Sequence, residues 1–359
     1  MFKDSYQVVG VMSGTSLDGV DLVYTTLAYT NKWDFEIHFS ETVPYSEYWF
    51  KVLSNAVHLS QQELLDLNES YTEELAQIIN HFILKNSIKN IDAVCSHGHT
   101  VLHQPQNGFT LQIGNLEKLS KLLKQNVVCD FRVQDVVLGG QGAPLVPIGD
   151  RLLFSQYNYC LNLGGFSNIS FEDNFERIAF DISPVNTVMN LYANRLGFAF
   201  DDKGILARNG NLNQDLFDEL NALSYYKLPY PKSLGIEFVN SVILPILSKF
   251  SISEKDVLRT FVEHVAFQIS NSIALKNSSI LITGGGAYNE FLIERMQSFL
   301  PELKIVIPDN ITLEYKEALV FALLGVLKLR NEINTLSSVT GAKMDHSSGN
   351  IYYYKNLNC

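Results

Sequence analysis

Two strand–glycine turn–strand patterns constrain the fold of this chain more than any other feature. The first covers residues 6–27, and the second, after the pattern restarts near residue 150, covers residues 158–171. Strands that alternate with helical patterns predict largely parallel sheets with helices packed on them. The 359 residues also exceed the roughly 250–300 at which a single core stops growing. We therefore expect an α/β protein with two lobes, residues 1–150 and 151–359.

Charge and cysteine content exclude several classes of protein. The formal net charge of −11 argues against nucleic acid, because phosphate neutralisation needs clustered Lys and Arg. The four cysteines are scattered without a C-x-x-C pair, so a structural zinc site or a disulfide framework is not expected. The sequence begins without the apolar stretch of a signal peptide and has no apolar run of membrane-spanning length. We expect a cytoplasmic protein with no membrane partner.

The first glycine turn has the composition of a phosphate-binding loop. It reads Gly14-Thr15-Ser16-Leu17-Asp18-Gly19, in which glycines allow close backbone approach and two hydroxyls can donate. Asp18 is the candidate ligand for Mg²⁺, directly or through water, because hard cations prefer oxygen. The segment lacks the Gly-Lys-Ser/Thr ending of a Walker A motif. The alternative is a polar hairpin with a turn-forming Asp.

Asp181 is the candidate catalytic base. It follows the strand pattern of residues 177–180 and precedes a predicted helix over residues 187–196, which Asn186 can cap. Ligands bind at the carboxyl ends of strands in open α/β sheets, where a carboxylate can activate a water or hydroxyl facing a γ-phosphate. The alternative is an Asp that only caps backbone N–H groups.

Further glycine-rich and polar segments are candidates for binding the nucleotide base and a sugar. Gly284-Gly285-Gly286 follows a strand and leaves room for a flat base, although it does not fit a dinucleotide fingerprint. Amide, imidazole and guanidinium groups suit a polyol, and Arg132 could pair with an acidic substituent. The alternatives are a close strand–helix turn, a surface Arg and, less favoured, a zinc site on the histidines. The candidate sugar-binding residues are His97, His103, Arg132, Gln141, Gly142, Ala143 and Pro144.

The ordered set of motifs resembles the anhydro-N-acetylmuramic acid kinase family over nearly the whole chain. The most specific matches are blocks of twelve and ten residues at 10–21 and 138–147. Further matches lie at residues 97–103, 110–114, 130–132, 162–168, 202–204, 231–233, 284–286, 317–319 and 339–342.

The resemblance implies a two-lobed fold like that of actin, hexokinase and Hsp70, a duplicated ribonuclease H-like arrangement with ATP in a central cleft. It implies an ATP- and Mg²⁺-dependent kinase of peptidoglycan recycling that forms a homodimer. Water would open the anhydro bridge of 1,6-anhydro-N-acetylmuramic acid while O6 takes the γ-phosphate. By position, Asp181 would activate water and Glu317 would assist at the sugar. The implied ATP-binding residues are Gly14, Thr15, Ser16, Leu17, Asp18, Gly19, Val20, Asp21, Gly164, Gly165, Gly284, Gly285 and Gly286.

Four positions depart from the family pattern. Ser183 and Val185 replace glycines in the loop after Asp181, Leu234 replaces a hydroxyl residue, and His99 stands where Gln is expected. Because Val disfavours a positive φ, we expect the loop to be crowded if its backbone must approach phosphate. Two alternatives therefore stay open: a kinase of the same fold for another sugar, and a non-catalytic nucleotide-binding relative.

Overall fold

The structure, a computed structural model, describes residues 2–14, 17–275 and 277–355. Its contacts divide the chain into two compact units. Unit 1 contains Met1–Leu153 and Tyr315–Cys359, and unit 2 contains Phe154–Glu314.

Unit 1 is built on a seven-stranded mixed sheet. Its strands are β1 (Ser5–Ser13), β2 (Val20–Tyr29), β3 (Trp33–Val43), β4 (Ala93–Gln104), β5 (Phe109–Ile113), β6 (Val127–Cys129) and β12 (Asn350–Tyr352). The order is β12-β6-β4-β1-β2-β3, with β5 paired to β4. Strands β1, β4 and β6 are parallel, so their carboxyl ends meet at one edge.

Helices cover the sheet of unit 1. They are α1 (Glu47–Asn55), α2 (Gln61–Lys85), α3 (Lys118–Leu123), α4 (Val133–Val137), α5 (Pro147–Leu153), α13 (Asn310–Leu329, which crosses the unit boundary) and α14 (Ser337–Thr340). The apolar residues of the sequence over 61–86 recur at helical spacing, and this segment forms α2. It begins at a capping box between Ser60 and Glu63 and buries one apolar stripe that includes Leu67, Tyr71 and Leu75.

Unit 2 repeats this plan with a five-stranded sheet. Its strands are β7 (Tyr159–Leu163), β8 (Phe166–Asp173), β9 (Glu176–Pro184), β10 (Ser279–Thr283) and β11 (Lys304–Val306). Its helices are α6 (Asn186–Arg195), α7 (Ile205–Arg208), α8 (Gln214–Asn221), α9 (Ile236–Phe238), α10 (Leu244–Ser248), α11 (Glu254–Asn271) and α12 (Glu290–Phe299).

The two sheets share one strand order and one set of directions. Unit 1 contains β3-β2-β1-β4-β6 and unit 2 contains β9-β8-β7-β10-β11. In each, three strands form an antiparallel meander and two further strands lie parallel beside the first. This is the duplicated ribonuclease H-like order, so the predicted α/β fold class is confirmed.

The sequence analysis placed all of residues 151–359 in the second lobe, but the chain from Tyr315 onward belongs to unit 1. Strand β12 pairs with β6, and an added Cβ at Gly325 would meet the Cys95 side chain of β4 at 2.1 Å. Close packing of α13 on the sheet of unit 1 therefore fixes this segment there. None of the described helices combines the length and apolarity needed to span a membrane.

Candidate functional site

The predicted phosphate loop is the tip of the β1–β2 hairpin, where Ser13 pairs with Val20. Thr15 and Ser16 lie outside the described residues. Leu17 has a left-handed φ of 61°, and its N–H donates to Gly14 O at 3.4 Å. Gly19 has no room for a side chain, since an added Cβ would lie 2.4 Å from Val43 O. Asp18 is exposed at this tip and is accessible to a ligand.

The polar segment at residues 97–103, which contains the sugar-binding candidates His97 and His103, is part of β4. Register with β1 and β5 continues through this segment, with Ser13 opposite His99 and His103 opposite Thr110. Backbone pairing on both sides therefore extends the strand. His103 is exposed at its end, and its Nδ1 lies 3.0 Å from Thr110 Oγ1.

A buried hydrogen-bond cluster supports the base of the hairpin. Ser13 Oγ lies 2.6 Å from Tyr45 Oη and 2.9 Å from His99 Nδ1, and Tyr71 Oη donates to it at 3.1 Å. Burial lowers the pKa of His99 to about 4, so its ring is neutral near pH 7. His99, which departs from the family pattern, thus fixes the end of β1. Sequence reasoning missed Tyr45 and Tyr71 because nothing local links them to the loop.

Arg132 joins two of the predicted sugar-binding segments. Its Nε donates to His97 Nε2 at 2.8 Å, and its Nη1 donates to Gly142 O at 2.6 Å. His97 Nε2 is therefore the acceptor, and the ring proton lies on Nδ1, which contacts Gly98 O at 2.8 Å. Burial lowers the pKa of Arg132 to about 10, above neutral pH. A charged guanidinium is thus held in a fixed orientation beside the loop.

Asp135, which the sequence analysis did not identify, fixes the loop around Gly142 through hydrogen bonds. Its fully buried carboxylate accepts the Gly142 N–H at 2.6 Å and the Thr340 hydroxyl at 2.7 Å. Gly140 packs so closely that an added Cβ would lie 2.2 Å from this carboxylate. Gln141, exposed beside it, donates its N–H to Thr340 O at 2.8 Å. An Asp among the three valines of residues 133–137 is the signal that could have identified it. Ala143 is half-buried and Pro144 is exposed in the same loop.

Replacing Asp135 by Ala should loosen this loop. The Gly142 N–H and the Thr340 hydroxyl would lose their acceptor, and each buried unpaired donor costs roughly 1–3 kcal/mol. We expect a loss of roughly 2–5 kcal/mol in the free energy of unfolding, measured by urea titration. Gln134→Ala, an exposed change on the same helix, should stay within about 0.5 kcal/mol of wild type. Equal stability of both variants would show that Asp135 does not hold the loop.

Glu317 lies in α13 within the same charged neighbourhood of unit 1. Its side chain is accessible to solvent. Desolvation by the surrounding protein atoms nevertheless raises its pKa, and the charge of Arg132 lowers it. Asp21 raises the pKa further and accepts the Thr42 hydroxyl at 2.6 Å. Unit 1 thus gathers the hairpin, Arg132 and Glu317 at the edge where its parallel strands end.

Asp181 lies near the carboxyl end of β9 in unit 2. Its Oδ2 accepts the Leu234 N–H at 2.8 Å, its own N–H donates to Lys232 O at 3.1 Å, and Tyr225 Oη donates to its carbonyl at 2.6 Å. Burial raises the pKa of this half-buried carboxyl, and the Leu234 N–H partly offsets that rise. Leu234 thus supplies its backbone where the family pattern has a hydroxyl residue. The strand predicted over residues 177–180 continues through Asp181 to Pro184, so Asp181 lies within β9 and not after its end.

The two substituted positions after Asp181 both bury their side chains in unit 2. Val185 has φ −131°, which lies outside the left-handed region, and its side chain is fully buried in the core of unit 2. Ser183 is buried, and its Oγ lies 3.0 Å from Ser167 Oγ. The expectation that Val185 requires a positive φ is therefore wrong. The predicted Asn186 cap is also wrong, because α6 begins at Asn186, whose side chain donates to Leu163 O at 3.4 Å.

The glycine turns of unit 2 lie against one another. The Val185 N–H donates to Gly165 O at 2.8 Å and the Asn186 N–H to Gly164 O at 3.2 Å. An added Cβ at Gly286 would lie 2.7 Å from Leu163 Cβ, so the turn after β10 packs on the end of β7. At exposed Gly285 an added Cβ would meet nothing closer than 3.9 Å. This open backbone can accept a flat ligand.

The described residues contain no group of three or more His, Cys, Asp or Glu arranged to hold a metal ion. Mg²⁺ is commonly bound by one or two carboxylates together with substrate phosphates, and exposed Asp18 beside the hairpin fits that use. Cys95 and Cys129 are buried free thiols.

Comparison with known proteins identifies relatives over nearly the full chain. The profile of the family described as "Anhydro-N-acetylmuramic acid kinase" matches residues 6–354. Proteins of that name from Haemophilus influenzae and Mannheimia succiniciproducens are 33% and 34% identical to this chain. The alignments cover 96% of this chain and 97% of the first relative, and 98% of this chain and all of the second.

A solved ROK family glucokinase from Streptomyces griseus, in complex with glucose and AMPPNP, is 10% identical with a TM-score of 0.41, over 89% of this chain and 99% of its own. That likeness is too distant to support an argument, so the assignment rests on the sequence relatives. The chain therefore belongs to the anhydro-N-acetylmuramic acid kinase family.

Proposed function

We propose that this protein transfers the γ-phosphate of ATP to O6 of 1,6-anhydro-N-acetylmuramic acid while water opens the anhydro bridge. Family membership makes it a sugar kinase, and the reaction is that of the family. The oxygen of water bonds to C1, the C1–O6 bond breaks, and O6 takes the phosphoryl group. The products are N-acetylmuramic acid 6-phosphate and ADP.

The observation that carries this proposal is the fixed carboxylate of Asp181. Its hydrogen bond to the Leu234 N–H leaves Oδ1 as the oxygen that can accept a proton from water. Burial raises its pKa, which makes it a stronger base than an exposed Asp. Asp181 thus removes the proton as the C1–O bond forms.

The other predicted residues would bind and orient the two substrates. Residues 14–21 would hold the phosphates, with Mg²⁺ on Asp18 supplying positive charge there. Gly164, Gly165 and residues 284–286 offer backbone for the nucleoside, and Gly285 is open. Arg132, held by His97 and Gly142, would pair with the carboxylate of the sugar. Glu317, near Arg132, would act at the sugar hydroxyls.

A phosphotransfer assay tests the proposal. Purified protein with ATP, Mg²⁺ and the anhydro sugar should release ADP and form a sugar phosphate, which mass spectrometry identifies. Glucose, N-acetylglucosamine and 1,6-anhydroglucose serve as competing substrates, with the Haemophilus influenzae relative as the positive control. Turnover with one of these and not with the anhydro amino sugar would replace the proposed substrate.

The pH dependence of kcat should show the titration of Asp181. The carboxylate is the active form, so the rate falls as the pH drops through its pKa. Because burial raises that pKa, the fall should lie at higher pH than for an ordinary Asp. The acid limb should persist in Glu317→Gln, although that variant is slower. If this substitution abolished the limb, the titrating group would be Glu317.

We further propose a cytoplasmic homodimer. Free buried thiols suit a reducing compartment, and the family resemblance supports the dimer. Cell fractionation should find the protein in the cytoplasm. Light scattering should give twice the mass of one chain.

A further inference from the structure

Unit 2 contains a cavity that the proposed reaction does not use. Its volume is about 410 Å³, within the range of small-molecule pockets. Phe180 and Ile182 of β9 line it, whereas Asp181 does not, so it lies on the face of β9 opposite to the catalytic carboxylate. We call it the β9 pocket. Its walls also include Phe171, Tyr230, Pro229 and Leu275.

Lys232 gives the β9 pocket a cation without an acidic partner. Its Nζ lies 4.8 Å from the centre of the Tyr225 ring and 5.5 Å from that of Phe180, and it donates to Tyr225 O at 3.4 Å. No described carboxylate forms an ion pair with it. The two acids of the pocket are engaged, since Glu172 pairs with Arg177 and Asp173 accepts the Tyr230 hydroxyl.

The chain segment 230–234 connects the β9 pocket with the catalytic carboxylate. Tyr230 stacks on Phe180 inside the pocket, with ring centres 5.7 Å apart and an interplanar angle of 7°. Two and four residues later, Lys232 O and the Leu234 N–H bind the Asp181 backbone and carboxylate. A shift of Tyr230 or Lys232 would therefore move the hydrogen-bond donor of Asp181.

We propose that the β9 pocket binds a small amphipathic organic anion, an apolar ring that carries a carboxylate or sulfonate, and that occupancy changes kcat through segment 230–234. The ring packs against Phe171, Pro229 and Leu275, while the anionic group pairs with Lys232. Desolvation by aromatic walls strengthens such an ion pair. The effect on kcat rests on the proposed role of Asp181, whereas binding itself does not.

The probe for this site is 8-anilinonaphthalene-1-sulfonate, a fluorescent anion with apolar rings. With ADP present to fill the nucleotide site, its emission should saturate at one site per chain. Lys232→Met should raise its Kd about tenfold, the size of one charged hydrogen bond. N-phenyl-1-naphthylamine, which has the same rings without the sulfonate, should bind both proteins equally. Ala274→Trp, which fills the pocket, should abolish binding of both probes, with folding checked by circular dichroism.

Kinetics then test the coupling. The probe should change kcat of the wild type at least twofold and leave Ala274→Trp unaffected, and that variant should match wild type without probe. If wild type, Lys232→Met and Ala274→Trp all bound the probe with equal affinity, the proposal that the β9 pocket binds it would be wrong. Binding at the site with unchanged kcat would overturn the coupling. Because fluorescence needs no turnover, absence of sugar phosphorylation would count against the proposed function alone.

Discussion

Asp181→Asn should lower kcat by about 10²–10⁴-fold, the usual contribution of a general base. The amide oxygen of Asn can still accept the Leu234 N–H, which Oδ2 now accepts at 2.8 Å, so the local structure should survive. What is lost is the ability to take a proton from water. Steady-state kinetics with the anhydro sugar measure the fall, and calorimetric titration should give an ATP Kd within about threefold of wild type, because the base acts only in the transition state.

A matched control separates this loss from a general effect of removing charge. Glu176 is an exposed carboxylate at the start of the same strand, and Glu176→Gln should keep wild-type kcat. A kcat near normal in Asp181→Asn would remove Asp181 from its assigned role. Loss of ATP binding in that variant would instead show that Asp181 holds the nucleotide.

Arg132→Met should weaken binding of the sugar and leave binding of the nucleotide almost unchanged. Methionine fills much of the same volume but removes the charge and the bonds to His97 and Gly142. A hydrogen bond to a charged group contributes roughly 1.5–3 kcal/mol, so the KM for the sugar should rise about 10- to 150-fold. The KM for ATP is the internal control.

A graded variant distinguishes geometry from charge. Arg132→Lys keeps the positive charge without the planar fork and should fall between wild type and Arg132→Met. Equal KM values for the sugar in all three proteins would show that Arg132 does not contact the substrate. Equal increases in both KM values would indicate a disturbed fold, which thermal unfolding checks.

Local sequence patterns predicted the elements of this fold well. The apolar stripe of α2 and the apolar runs of β7 and β10 depend on residues close in sequence, and each element formed where its pattern indicated. Two strands extend beyond their apolar patterns: β4 runs through residues 97–103, and β9 runs past Asp181 to Pro184. Pairing with β1 and β5 sets the length of β4, and pairing with β8 sets that of β9, because one strand alone carries no signal for its neighbours.

Contacts between residues far apart in the sequence explain why parts of the site could not be predicted from the sequence. Asp135 acts through Thr340, 205 residues away, and Asp181 is held by Leu234, 53 residues away. The expectation for Val185 assumed a positive φ, whereas the fold gives this residue a φ of −131°. The assignment of residues from Tyr315 to unit 1 also depends on long-range packing.

Incorporation of ¹⁸O from water tests the central claim most directly. The protein is incubated with ATP, Mg²⁺ and 1,6-anhydro-N-acetylmuramic acid in H₂¹⁸O, and the sugar phosphate is fragmented in a mass spectrometer immediately after the reaction. If Asp181 activates water to open the bridge, the label lies on C1 and the phosphate carries none. A phosphorylated sugar with its bridge intact, label on the phosphate, or no sugar phosphate beside an active relative would contradict the account.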